Sequence, residues 1–199
     1  DNVAVLTRMA DVAYMMEDYA VMADACAKAI EVDEADPQAL YLYAKAYRGL
    51  GDVPNAVAML TKALDKYDDF EAARLLRGET LLANGDVEEA GKDADELLKR
   101  IGANEDVLML NARVAKAMGD MEKAEQTYDA VLDVNPFSVD AFAERGEVRR
   151  QLGNEAGAAE DEASAEELRA SQQQPSEDIG EKVKDRMKSM DPYKIFNNE

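Results

Sequence analysis

The chain has 199 residues, with 43 acidic and 23 basic side chains that leave a net charge of −20 at neutral pH. Such a charge argues against nucleic acid and anionic membrane surfaces as partners, because phosphate groups repel an acidic protein. The chain has no histidine and one cysteine, which excludes Ser–His and Cys–His nucleophile pairs and an internal disulfide. No apolar run is long enough to span a bilayer, so we expect no direct membrane insertion.

A turn signal that begins with glycine recurs every 34 residues, without insertion or deletion. It is Gly-Asp-Val at 51–53 and 85–87, Gly-Asp-Met at 119–121 and Gly-Asn-Glu at 153–155, whereas the first unit has Glu-Asp at 17–18. The same period divides the chain into five windows, each predicted to hold two helices around its turn. These windows are 3–36, 37–70, 71–104, 105–138 and 139–172.

The window 37–70 illustrates how each unit is expected to fold. Pro37 fits the first turn of a helix whose N-cap is Asp36. Gly51 ends this helix, because the left-handed conformation needed there is unstrained in glycine, and Asp52 can cap the second helix. Apolar residues recur at helical spacing on the two helices: Leu40, Tyr43, Ala44 and Tyr47, then Ala56, Leu60, Ala63 and Leu64.

Mostly small side chains recur at two fixed offsets, where they let paired helices approach closely. With the 34-residue period and the Gly-Asp turn, this spacing resembles the tetratricopeptide repeat (TPR) family over roughly 3–172. The resemblance implies an all-α, right-handed α-solenoid of about five helix-turn-helix repeats. The recurring residues are Ala10, Ala44, Gly78, Ala112 and Gly146, and then Met22, Ala56, Ala90, Ala124 and Ala158.

Some positions depart from the family pattern and lead to further expectations. Arg74 and Arg77 stand where large apolar residues are usual, so we expect looser packing in the third repeat. Glu162 replaces an apolar residue in the fifth repeat, as suits a terminal unit that faces water. Cys26 falls at a packing position and has no obvious neighbour to lower its pKa, so we expect a buried core thiol.

The composition changes after Leu168, and 170–175 is predicted to end the last repeat and form a short linker. Ser176 can cap a final helix over 176–190. We expect this capping helix to cover the end of the solenoid, as terminal units of repeat proteins require. Its apolar stripe consists of Ile179, Val183, Met187 and Met190.

The tail 191–199 is apolar in its middle, at Ile195 and Phe196. One interpretation is a mobile chain end. The alternatives are docking back onto the same chain, or insertion into the groove of a second copy, which would give a homodimer.

The resemblance also implies a function. In TPR proteins the first helices of the pairs line a concave groove, which usually binds an extended peptide or a partner helix, and such a scaffold is not an enzyme. The groove-facing candidates on the first helix are Thr7, Asp11 and Tyr14. The residues expected to contact a partner are Tyr41, Lys45, Arg48, Leu75, Met109, Arg113 and Lys116.

Two pairs of bases dominate this set of groove residues. Lys45 with Arg48, and Arg113 with Lys116, are three residues apart, so each pair shares one face of its helix. A mixed apolar and basic groove in an acidic protein is expected to attract an acidic segment of another protein. The alternative is that the bases neutralise acidic second helices of neighbouring repeats. The lysine–asparagine clamp of chaperone-binding TPR proteins is absent.

We predict no catalytic residue, no cofactor and no metal site. The sequence has no glycine-rich phosphate loop, and the acidic cluster at 65–71 lacks EF-hand spacing and is expected to form an inter-repeat turn. An alternative function is a structural or accessory subunit of an enzyme or secretion complex, which binds through its convex face or its ends or self-associates. The compartment stays open: cytoplasmic, or periplasmic or exported if a leader before Asp1 has been removed.

Overall fold

The computed structural model describes residues 2–173, and within this range the chain forms ten α-helices and no strand. The predicted capping helix 176–190 and the tail 191–199, with its proposed role in a homodimer, lie outside the described residues. The helices are α1 (Val3–Met15), α2 (Tyr19–Val32), α3 (Pro37–Gly49), α4 (Val53–Lys66), α5 (Glu71–Asn84), α6 (Val87–Ile101), α7 (Glu105–Ala117), α8 (Met121–Val134), α9 (Val139–Gln151) and α10 (Glu155–Gln173).

Capping residues start and stop the helices where the sequence predicts. Pro37 opens α3, and the side chain of Asp36 accepts a hydrogen bond from the Ala39 backbone N–H at 2.6 Å. Gly51 follows α3 with a φ of +76°, and Asp52 caps α4 by accepting from the Asn55 N–H. The turn is therefore formed by local chemistry that each repeat carries in its own sequence.

The helices stack into one solenoid, and the buried apolar residues within residues 2–173 form five clusters along it. Odd-numbered helices are the first helices of the pairs and even-numbered helices are the second, and each helix packs against its neighbours in the chain. The small residues predicted to lie between paired helices, such as Ala44 and Ala56, are fully buried. Cys26 is buried in the same way, and burial, with Asp11 nearby, raises the pKa of its thiol to about 12, which confirms a core thiol.

The third repeat is where the sequence predicts looser packing, because of its two arginines. A cleft of about 540 Å³ does lie beside Arg74 and Arg77, but carboxylates hold both side chains. Asp93 accepts two hydrogen bonds from Arg77, at 2.6 and 2.8 Å, and Arg74 donates to Asp68 at 2.5 Å. Ion pairs thus take the place of the apolar contacts that are usual at these positions, and the carboxylate of Asp93 is buried whereas that of Asp68 is exposed.

Glu17 is the one non-glycine residue with a positive φ among residues 2–173, with a φ of 57°. It occupies the turn position that glycine holds in the other four repeats. Because the left-handed conformation costs a residue with a Cβ atom about 1 kcal/mol, we expect Glu17→Gly to raise the free energy of unfolding by that amount in urea titrations. Gly85→Ala, with a φ of +91° and open space around the added Cβ, should lower it similarly. A stability loss in Glu17→Gly would contradict this account.

Candidate functional site

The side chains of α1, α3, α5, α7 and α9 that face one another across successive repeats form what we call the first-helix surface. Equivalent residues are 34 apart, and the contact is displaced by about one helical turn, so a residue meets the residue 31 positions later. Lys45 Nζ lies 3.5 Å from the centre of the Tyr14 ring, and Arg48 pairs with Glu79 at 3.1 Å. Arg113 with Glu144, and Lys116 with Glu147, follow the same rule.

Three of the four predicted groove bases are therefore already ion-paired. Their partners are glutamates on the next first helix, whereas our alternative interpretation assigned that role to second helices. Lys45 is different, because the residue 31 positions after it is Leu76. No carboxylate within residues 2–173 lies within 4.0 Å of its ammonium group.

Arg113 belongs to a partly buried network at the junction of the last two repeats. Glu144 stands at the position that Leu42, Leu76 and Leu110 occupy in earlier repeats. It accepts hydrogen bonds from Arg113, the shortest at 2.6 Å, and from the hydroxyl of the fully buried Tyr128 at 2.7 Å. Burial alone would raise the pKa of Glu144, but these hydrogen bonds and the positive charge of Arg113 outweigh it and hold the pKa below its ordinary value.

Three of the predicted contact residues share one cleft, whereas Leu75 and Met109 pack against the core. Tyr41, Lys45 and Arg48 come together in a cleft of about 490 Å³, which Tyr14, Tyr19, Gly49, Leu76 and Glu79 also line. Leu75 lies half-buried against the core of α6 and α7. Met109 is only 7% exposed and packs in the core cluster with Leu108 and Tyr128, which leaves little of its surface for a ligand.

Sequence reasoning did not identify Tyr19 and Gly49 as parts of this cleft. A Cβ atom on Gly49 would lie 2.3 Å from the Tyr19 ring, so only glycine lets this ring rest against the end of α3. The other repeats have Met15, Ala83 and Ala117 at equivalent positions, with Gln151 in the fifth. A second glycine at the last residue of a helix, two positions before the turn glycine, was the signal that could have revealed the cleft.

Residues 2–173 offer neither a metal site nor a membrane-spanning helix. They contain no cluster of three or more histidine, cysteine or acidic side chains with the geometry to hold a metal ion. No helix in the same range combines the length and the hydropathy needed to cross a membrane.

Sequence comparison agrees with the repeat architecture. Models of the tetratricopeptide repeat match residues 7–69, 44–106 and 81–143, which together cover more than half of the chain. The chain belongs to the TPR family. No curated protein matches the sequence at a significant level.

Solved TPR structures share this fold at low sequence identity. MamA (41-end) from Desulfovibrio magneticus RS-1 aligns over 86% of this chain and 97% of its own, with 18% identity and a TM-score of 0.77. TTC0263, a thermophilic TPR protein from Thermus thermophilus, aligns over 83% and 91%, with 17% identity and a TM-score of 0.70. YrrB, described as a TPR protein with an unusual peptide-binding site, aligns over 82% and 84%, with 18% identity and a TM-score of 0.66. At these identities the likeness extends to the fold alone.

Proposed function

We propose that this TPR protein is a non-catalytic scaffold that binds an acidic, peptide-like segment of another protein on its first-helix surface. The observation that carries the proposal is the cleft that contains Tyr41, Lys45 and Arg48, in which a basic side chain lies without a carboxylate partner from residues 2–173. Aromatic rings supply contact area there, and the bases supply orientation and a faster encounter with an acidic chain. The peptide-binding site described for YrrB is consistent with this use of the fold.

The second group of bases has a different part in this proposal. Arg113 and Lys116 are paired with Glu144 and Glu147, so a ligand carboxylate must compete with a carboxylate that is already in place. Exposed ion pairs are weak, at about 0–1 kcal/mol, and the Lys116 pair can exchange more readily than the partly buried Arg113 pair. We therefore assign the main contact to the Tyr41–Arg48 region and a secondary one to Lys116.

The test is affinity capture with wild-type protein and a Lys45/Arg48/Arg113/Lys116→Ala variant from the native source. The matched control is Lys28/Lys66/Lys92/Lys123→Ala, which removes the same number of charges from exposed positions on second helices. We expect one partner on the wild type and the control, and its loss from the first variant, with all three proteins giving helical circular dichroism spectra. Retention of the partner by the first variant would reject the first-helix surface as the site.

A second candidate function is that of an accessory subunit held through the end of the solenoid. It is favoured by an apolar cleft of about 640 Å³ on α1 and the start of α2. Val5, Met9 and Val12 are exposed there at helical spacing on one face of α1, and Met16, which caps the end of this helix, is exposed beside them. A Met9→Asp/Val12→Asp variant that loses a partner which the Lys45/Arg48/Arg113/Lys116→Ala variant keeps would support this function over the first.

A further inference from the structure

We propose that the Lys45 cleft, formed by Tyr14, Tyr19, Tyr41, Lys45, Gly49 and Leu76, anchors one Asp or Glu side chain of the bound segment together with an adjacent aromatic side chain. This inference rests on the proposed function and specifies its main contact. It follows from the charge, the hydrogen-bonding groups and the shape of this cleft.

The charge of the cleft points to an anion with a single carboxylate group. Lys45 Nζ lies 3.5 Å from the centre of the Tyr14 ring and 5.8 Å from that of Tyr41. Arg48 and Glu79, which line the same cleft, compensate each other. A cation between aromatic rings keeps its full positive charge, so one negative charge on the ligand would balance it.

The hydrogen-bonding groups favour an acceptor rather than a donor in the ligand. Within the described part of the chain, the hydroxyls of Tyr14, Tyr19 and Tyr41 make no hydrogen bond to protein groups, whereas those of Tyr43 and Tyr47 bond to each other. Burial, with Glu79 and Tyr14 nearby, raises the pKa of Tyr41, so its hydroxyl stays protonated at neutral pH. A carboxylate can accept hydrogen bonds from these phenols and from the ammonium together.

The shape of the cleft provides space for an aromatic neighbour of the carboxylate. Tyr14 and Tyr19 meet edge to face, with ring centres 6.4 Å apart, and Gly49 lets Tyr19 rest directly against α3. Tyr41 packs against Phe70, with 5.3 Å between the ring centres. Rings that are fixed in this way present flat apolar faces, on which a further aromatic side chain gains contact area at little entropic cost. A basic segment is disfavoured, because Lys45 already occupies the face of Tyr14.

The experiment uses a pool of random octapeptides whose N-termini are acetylated and whose C-termini are amidated. Peptides captured by the immobilised protein are sequenced, and the best one is resynthesised for anisotropy measurements. We expect wild-type protein to enrich acidic residues next to aromatic ones at least fivefold over the input. Lys45→Met should lower the affinity for the resynthesised peptide at least tenfold. Lys62→Met, which removes a second-helix lysine paired with Glu34, should leave this affinity unchanged.

A double-mutant cycle then tests direct contact. Replacing the acidic residue of the peptide by its amide should cause the same loss as Lys45→Met, and the two changes together should cause no further loss. Gly49→Ala adds a Cβ atom against the Tyr19 ring and is expected to weaken the aromatic contact while the protein keeps its helical spectrum. Enrichment without acidic residues, or full binding by Lys45→Met, would overturn the inference.

The outcomes separate this inference from the proposed function. If peptides bind Lys45→Met normally but not Arg113→Met/Lys116→Met, the first-helix surface is the site and the Lys45 anchor is wrong. If no peptide is enriched over bare resin, both are wrong. If only a pool with free C-terminal carboxylates binds and depends on Lys45, the assignment to a side-chain carboxylate is overturned while the proposed function stands.

Discussion

Asp93→Ala is expected to lower the free energy of unfolding by about 3–5 kcal/mol, the usual cost of removing one partner of a buried ion pair. The Asp93 side chain is only 3% exposed and accepts two hydrogen bonds from Arg77, while Arg74 lies 3.6 Å away. Alanine would leave the guanidinium groups of both arginines without this carboxylate in the interior of the third repeat. Urea titration followed by circular dichroism measures the loss.

Two further variants make this prediction specific to the ion pair. Asp95→Ala removes the same charge from an exposed position on the same helix, and we expect a change within about 0.5 kcal/mol. Arg77→Met/Asp93→Ala should be more stable than Asp93→Ala alone, because it removes the charge that the single substitution leaves unpaired. If Asp95→Ala and Asp93→Ala cost the same, the ion pair does not determine the packing of this repeat.

Glu144→Ala should destabilise the junction of the last two repeats by about 2–3 kcal/mol, because two groups lose a shared acceptor. The buried Tyr128 hydroxyl and the Arg113 guanidinium both donate to this carboxylate. Thermal and urea unfolding of the variant, compared with Tyr128→Phe, would separate the two losses, since Tyr128→Phe removes one donor and leaves the Arg113 pair intact.

Glu147→Ala is the matched control for this prediction. Glu147 lies on the same helix and pairs with Lys116 by the same 31-residue rule, but its side chain is 58% exposed. We expect its loss to cost less than about 1 kcal/mol, because exposed ion pairs contribute little. Equal effects of the two substitutions would contradict the assignment of Glu144 to a partly buried network.

The third and the fifth repeats contain the same Arg–Asp ion pair at equivalent positions. Arg145 donates to Asp161 at 2.5 and 3.0 Å, which repeats the pairing of Arg77 with Asp93 two units later. In both repeats a glycine, Gly78 in the third and Gly146 in the fifth, lies where an added Cβ atom would be 3.4 or 3.3 Å from the Cβ atom of the aspartate. At Gly146 the aspartate is the nearest neighbour of the added Cβ atom, whereas at Gly78 the nearest atom would be Leu110 Cδ2 at 2.7 Å, so a glycine accompanies the Arg–Asp pair in both repeats for partly different steric reasons.

The sequence by itself determined the repeats, because the signals for them are local. Pro37, Asp36, Gly51 and Asp52 act within one turn of their own position, through backbone conformation and capping hydrogen bonds. The period of 34 then relates each unit to the next without knowledge of long-range contacts. The same locality explains why the strained turn at Glu17 is visible in the sequence as a departure from the glycine of the other repeats.

Only the tertiary structure decided which side chains remain available for a partner. Lys45 and Arg113 hold equivalent-looking positions in the sequence, yet Arg113 has Glu144 as its partner and Lys45 has Tyr14 and no carboxylate within the described range. That difference depends on the residue 31 positions away on another helix, and the contact appears only when two repeats are stacked. Charge pairing between repeats is a property of that stacking, and helical periodicity within one repeat does not tell which base gains a carboxylate partner.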